Sequence, residues 1–364
     1  MSASEPLALA VALLMASCAY FSPETGQEQT TTSNGAKDGA SATAVIGSLA
    51  ITTIGSTVDP TNGDQNPYGL AIAPVTVGLL TAGDLVICNF NDAANVQGNG
   101  TTIEILHPAP GSTPTRMVQD PNLEGCAAVA IAYDDSPWAA AFSSNLAPFY
   151  TAAGILDKTL AGGPWSGPWG ETFATAFGDT GTPSFATSNA TSGTIVRVNV
   201  AGTGFTTVVT GFTTNAWAVP GNILGASGLT YDVTTDTLFV VDSNQSRVVA
   251  FAGYSTLAAN AIVVEPDGSF SGPSAASASV VFSGAPLNAP ISAAQLFNGD
   301  LVVGNTGDNL LVEISLAGKV MGTQKLDPGA VGALFGIVVT GTDASSTKIY
   351  FNDDNDNTVK LLAP

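Results

Sequence analysis

Four stretches of this chain repeat one pattern. "GLTYDVTTDTLFVVDSNQSRVVAF", Gly228 to Phe251, reads as strand, turn, strand, polar hairpin and strand. Its relatives are "PYGLAIAP…AGDLVICNFNDAANVQGNGTTIEIL" from Pro67, "NAPISAAQLFNGDLVVGNTGDNLLVEISLAG" from Asn288 and "LFGIVVTGTDASSTKIYFNDDNDNTVKLL" from Leu334. The shared template is an x-Gly-apolar opening, a turn, an apolar second strand closed by Asn or Asp, and a closing strand. Self-similarity of this kind constrains a fold more than any single motif, because each unit needs neighbours to bury its faces.

The second strands begin at Leu85, Leu238, Leu301 and Ile349. Leu85 and Leu238 stand three steps of about 51 residues apart, a blade-length period. Two degenerate copies are therefore predicted near 136 and 187, where "PWAAAFSSN" from Pro137 and "PSFATSNATSGTIVRVNV" from Pro183 supply them. The wider step between Leu238 and Leu301 is assigned to an insertion, Glu265 to Pro286, rich in Ser and Gly. Six units of about 45 to 50 residues have the length of four-stranded blades. The expectation is an all-β, six-bladed β-propeller over residues 45–364. "SLAITTIG", Ser48 to Gly55, has no partner in its own unit and is expected to join the last blade as its outer strand, closing the ring and removing exposed strand edges.

Composition agrees. Hydrophobic residues make up 45% of the chain, and 40 Gly and 21 Pro punctuate runs of Val, Ile, Thr and Phe, as short strands and turns require. Nine Lys and Arg against 29 Asp and Glu give a net charge of −20, which repels phosphate backbones and anionic headgroups. Nucleic acid is excluded as a partner on this ground, and a membrane is reached only through a lipid anchor.

Such an anchor is one reading of the first stretch. The apolar run Leu7 to Met15 is too short for a membrane span and suits the core of a signal peptide, residues 1–18. Met15-Ala16-Ser17-Cys18 resembles a bacterial lipoprotein cleavage box in which Cys18 is lipidated, although Met is an uncommon first residue there and Glu5 stands where a basic residue usually precedes the run. Plain secretion and a disordered apolar tail are the alternatives. Residues 19–44 are small and polar, a linker. An exported setting follows: extracellular, periplasmic or anchored at the outer membrane. Cys88 and Cys126 then form either a disulfide or two buried free thiols; their apolar strand settings favour the thiols.

At the level of the blade, "ASGLTYDVTTDTLFVVDSNQSRVVAF" resembles NHL repeats and the senescence-marker-protein and gluconolactonase group of six-bladed propellers. That resemblance implies a calcium-dependent lactonase or esterase holding its metal on the axis with Asn, Asp and Glu from the inner strands. In that group Asn or Asp commonly precedes the inner-strand Gly. Here the residue is Tyr68, Trp169, Ser227 or Phe335. Glu171 and Asp232 remain as axial metal candidates; a solvent-facing register for Glu171 and a turn-forming role for Asp232 are the structural alternatives.

Other chemistry is sparse. His107, the only histidine, sits at a loop edge, and no G-x-S-x-G, HExxH, CxxC or P-loop occurs. "DDNDN", Asp353 to Asn357, lacks the central Gly and terminal Glu of an EF-hand and occupies a hairpin slot. Asn89, Asn189, Asp242 and Asn305 fill the strand-end slot, where their side chains bond local backbone.

Aromatic residues offer a different site. Tyr68, Trp169 and Phe335 fall at equivalent points around one channel mouth, with Trp165 and Trp217 on adjoining loops. They either grip a small molecule, glycan or protein, or plug the channel. Three functions stay open: a binding or scaffold module, a metal-dependent lactone or ester hydrolase, and a structural subunit of an envelope or filament assembly.

Overall fold

The computed structural model describes residues 44–160, 162–174, 184–199, 204–215 and 220–364. Its strands form six antiparallel-based sheets, five with four strands and one with six. Blade 1 runs through Gln65–Ile72, Leu85–Asn91, Gln97–Leu106 and Thr115–Gln119. Blades 2 to 5 open with the inner strands Cys126–Ile131, Pro168–Ala174, Ala226–Asp232 and Pro290–Gln295. Blade 6 takes Leu334–Thr340, Lys348–Asp353 and Thr358–Ala363 from the end of the chain and Ala50–Ser56 as its outermost strand, with Ala50 opposite Ala363 and Ser56 opposite Thr358. The degenerate units stand where the period puts them, with second strands Pro137–Ala141 and Ser184–Asn189.

Strand alternation explains the packing. In Leu85–Asn91, Val86 and Cys88 enter a core shared with Val129, Ala139 and Tyr150 of blade 2. Leu85 and Ile87 enter another, shared with Tyr350 and Val359 of blade 6. Successive side chains point to opposite faces, so a strand wedged between two sheets reads as a continuous apolar run. Each junction between consecutive blades has such a core: 2/3 around Trp138 and Phe185, 3/4 around Ile195 and Phe251, 4/5 around Val241 and Val303, and 5/6 around Val302 and Phe351. Six junctions for six blades define a closed ring.

The x-Gly-apolar openings have a steric cause. A methyl group on Gly170 would stand 2.1 Å from the Ser227 carbonyl oxygen, and one on Gly228 would lie 2.6 Å from the Ser292 Cα. Inner strands of adjacent blades touch backbone to backbone here, and only the smallest residues fit.

Two expectations are corrected. The insertion does not run from Glu265 to Pro286, because Ala278–Ser283 is the outer strand of blade 4, paired with Arg247–Ala252. The inserted excursion comes before it and adds Ile262–Val264 and Phe270–Ser271 to blade 3, the first parallel to Phe205–Thr210. Unpaired edge groups of blade 3 draw it there. Cys88 and Cys126 are not free thiols but a disulfide, with Cα atoms 5.3 Å apart, joining blade 1 to blade 2.

Candidate functional site on the propeller axis

Register fixes which residues face the axis. Cys126, Pro168, Ala226, Pro290 and Leu334 each pair with the last residue of the neighbouring strand, Ala141, Asn189, Asp242, Asn305 and Asp353, and Pro67 pairs with Asn89, two residues before the end of its own. One residue further along the inner strands stand Tyr68, Ala127, Trp169, Ser227, Ile291 and Phe335; three residues along stand Leu70, Val129, Glu171, Leu229, Ala293 and Ile337. Together with the small residues between them, all of these except Ser227 line an axial cavity of about 80 Å³. That volume accommodates a few water molecules and no sugar ring.

The first ring closes one mouth. Tyr68 stacks on Phe335 with centroids 3.6 Å apart and on Phe90 at 4.2 Å, while Trp169 meets Phe142 edge to face at 5.5 Å. Tyr68, Trp169 and Phe335 are 3 to 6% exposed. Such offset and edge contacts are how aromatic groups pack a core. Phe90 and Phe142 were missed by the reading of inner strands alone, yet their signal is in the sequence: each follows the strand-end slot. The equivalent residues in the other blades are Ala190, Ser243, Thr306 and Asp354. At this one position the mouth is apolar on blades 1 to 3 and polar on blades 4 to 6, where Ile291 and Phe335 of the first ring still supply apolar groups. Burial, with Asp353 adding to it, pushes the Asp354 carboxyl up to about 7.

Trp165 does not join this ring. Its indole lies in the core between blades 2 and 3, donating to the Leu160 carbonyl at 2.7 Å and meeting Phe205 at 5.5 Å, because the indole N–H needs a buried acceptor. Trp217 and Cys18 lie outside the described residues.

Glu171 is the axial acid. Both carboxyl oxygens are buried without a hydrogen-bond partner, at a position that Leu70, Val129, Leu229, Ala293 and Ile337 fill with apolar groups. Burial pushes its pKa well above the ordinary carboxylate value, favouring the neutral acid over the carboxylate. Asp232 is not axial. It accepts from Thr234 N at 2.8 Å and Thr235 Oγ1 at 2.9 Å, as a turn residue does. Partial burial pulls its pKa up, but these bonds prevail and leave it below the ordinary value.

A hard cation on the axis needs six to eight oxygens, several of them carboxylate. The first ring offers aromatic and aliphatic side chains with only two hydroxyls, those of Tyr68 and Ser227, and Glu171 stands alone beneath it. These residues do not fit calcium. Among the described residues no group of three His, Cys, Asp or Glu side chains is placed to hold a metal.

The slot residues clamp the connections between blades. Asn89 donates to Thr57 O at 2.9 Å, Asn189 to Pro164 O at 2.8 Å and Asn305 to Pro286 O at 2.8 Å. Asp242 instead pairs with Arg247 at 2.8 Å and Asp353 with Lys360 at 2.6 Å. The "DDNDN" hairpin is thus only partly solvated: Asp353 is buried, while Asn355 and Asp356 are exposed. His107, two-thirds exposed, bonds Asp84 at 2.8 Å on blade 1, away from the mouth.

The fold and this axis define a six-bladed β-propeller. Solved structures of that class resemble it throughout: virginiamycin B lyase from Staphylococcus aureus, 14% identical with a TM-score of 0.54 over 87% of this chain and 99% of that one; a gluconolactonase from Xanthomonas campestris, 12% identical with a TM-score of 0.58 over 87% and 90%; and the nidogen/laminin complex, 15% identical with a TM-score of 0.52 over 79% and 96%. The lyase has also been solved as a catalytically inactive histidine-to-alanine variant with quinupristin, 15% identical with a TM-score of 0.51 over 87% and 99%. No protein-family model matches the chain, and no curated protein does. Identities this low speak for the fold alone.

Proposed function

We propose that the chain is an exported binding or scaffold module whose axis is filled for stability, and that it is not a hydrolase or lyase acting there. One observation carries this reading: the mouth at which a propeller enzyme would admit its substrate is packed with the rings of Phe90, Tyr68 and Phe335, stacked in series, and with Trp169 set edge-on against Phe90. The neighbouring lyase is inactive once a histidine is replaced, and the single histidine of this chain stands on blade 1 with Asp84. Export is supported by the disulfide, which persists in oxidising compartments, and by the signal-like first stretch. The partner is a protein, glycan or small molecule and not nucleic acid, since a charge of −20 opposes phosphate.

Thermal melting with calcium and with EDTA, run beside hydrolysis assays on a panel of lactones and esters, tests the reading. A structural calcium held far above its Kd contributes about 4 kcal/mol and raises the melting temperature by several degrees. The expected outcome is coincident melts and no turnover. A calcium-dependent rise accompanied by lactone or ester hydrolysis would overturn it.

A further inference from the structure

A second concavity, roomier than the axial cavity, lies away from the plugged mouth. Residues 73–84 join the first two strands of blade 1, residues 132–136 do the same in blade 2, and residues 151–155 join the last two strands of blade 2. Tyr68 and Phe90 sit at the other ends of these strands, so the three connections gather at the opposite rim. Between them opens a pocket of about 610 Å³, within the range of ligand sites. Its walls include Tyr133, Trp138, Phe149 and Tyr150, and its acids are Asp134 and Asp157.

The rim is preformed. Leu79 N donates to Ala152 O at 2.9 Å, and Val75 N to Asp135 Oδ1 at 3.2 Å, tying the blade 1 loop to both blade 2 turns. Gly78, at φ +62°, lets the loops approach: a side chain there would stand 2.4 Å from Ala152 O. Around it Val75, Val77, Leu79, Tyr133, Ile155 and Leu156 are 41 to 80% exposed. Of the other exposed large apolar groups, Val96 stands alone in a blade 1 hairpin, and Ile51, Val233, Phe297 and Leu316 are scattered over blades 4 to 6. A contiguous patch of this kind on a soluble surface marks an interaction site.

Charge selects the occupant. No Lys, Arg or His lines the pocket, two carboxylates do, and the whole chain carries −20, which disfavours a second copy as partner. The apolar surface continues past the pocket over two loops, more than one small cation covers. We infer that this rim docks an extended peptide segment of a protein partner in which basic side chains alternate with apolar ones. The apolar groups would lie on Tyr133, Val77 and Leu79, and the cations beside Asp134 and Asp157. The inference rests on the binding-module reading and gives it a site.

The test is fluorescence anisotropy on the full chain with a labelled peptide, Leu-Lys-Leu-Arg-Phe-Lys, its counterpart with Glu in place of each basic residue, and phenethylamine as competitor. The expected result is saturable binding of the basic peptide, weakened by salt, at least about fivefold weaker in Tyr133→Ala and about tenfold weaker in the double variant Asp134→Asn, Asp157→Asn. All three positions are surface groups, and unchanged melting temperatures verify that the variants fold. Unchanged affinity in both variants, or equal binding of the acidic peptide, would overturn the site. Competition by phenethylamine at the peptide's own affinity would overturn the peptide and give the pocket to a small organic cation. No peptide binding and no hydrolysis would sink this site alone; hydrolysis that survives the pocket variants would sink the module reading.

Discussion

At the residue scale, Glu171 is the clearest conflict between sequence and surroundings. An acid with no protein partner occupies a place where five other blades put Leu, Val, Leu, Ala and Ile. Its native pKa lies above its unfolded value, so the native state binds the extra proton. Stability is then full below the unfolded carboxylate range near pH 4.5 and declines as the pH rises toward the native pKa. Glu171→Leu removes both the unsatisfied oxygens and this decline. It should stabilise the protein by roughly 1–3 kcal/mol, with the gain larger at pH 9 than at pH 5. Denaturant melts at the two pH values decide: an equal gain at both would mean the carboxyl is not neutral in the folded protein. The sequence already marked this residue as a candidate axial acid. It could not show whether the carboxyl met solvent, a cation or nothing, because that depends on what the other five strands bring to the axis.

At the scale of the element, the strand-end slot does the most with the least. A single Asn189 side chain donates to Pro164 O and Thr194 Oγ1 and accepts from Ser166 N at 3.1 Å, locking the incoming connection against the second strand of blade 3. Asn189→Ala removes all three of these part-buried hydrogen bonds and should cost about 1–3 kcal/mol. Asn189→Asp retains the acceptor but loses the donor, and should be no more stable than the alanine variant. Urea midpoints compare the two; a stable aspartate variant would show that the donated bonds contribute nothing. Strands and slots were legible because both repeat: apolar alternation, Gly at the backbone contact and Asn or Asp at the end recur in most blades. The excursion after Ala252 was not. Its Ser and Gly content says loop, whereas its second half, Ala278–Ser283, becomes a strand only because the edge of blade 4 lacks a fourth. Trp165 was misplaced for a like reason: nearness in sequence to Trp169 gave no hint that its N–H would turn to Leu160.

For the whole molecule, closure makes the blades one cooperative unit, since every blade shares apolar cores with both neighbours. The sequence carried this architecture through its period, but the pocket at the far rim was invisible to it, being assembled from three unrelated turns. Cooperativity gives the disulfide a distinctive signature. Cys88 and Cys126, 38 residues apart, cross-link adjacent blades. Closing a loop of that size lowers the entropy of the unfolded chain by an amount worth about 4 kcal/mol. Reduction, or the double variant Cys88→Ala, Cys126→Ala, should lower the melting temperature by several degrees while the transition stays single, because loosening one junction weakens a ring that unfolds as a whole. Calorimetry with and without reductant reads both features. Two separated transitions would mean that blades 1 and 2 melt apart from the rest, and an unmoved single transition would mean that the thiols are not joined in the native protein.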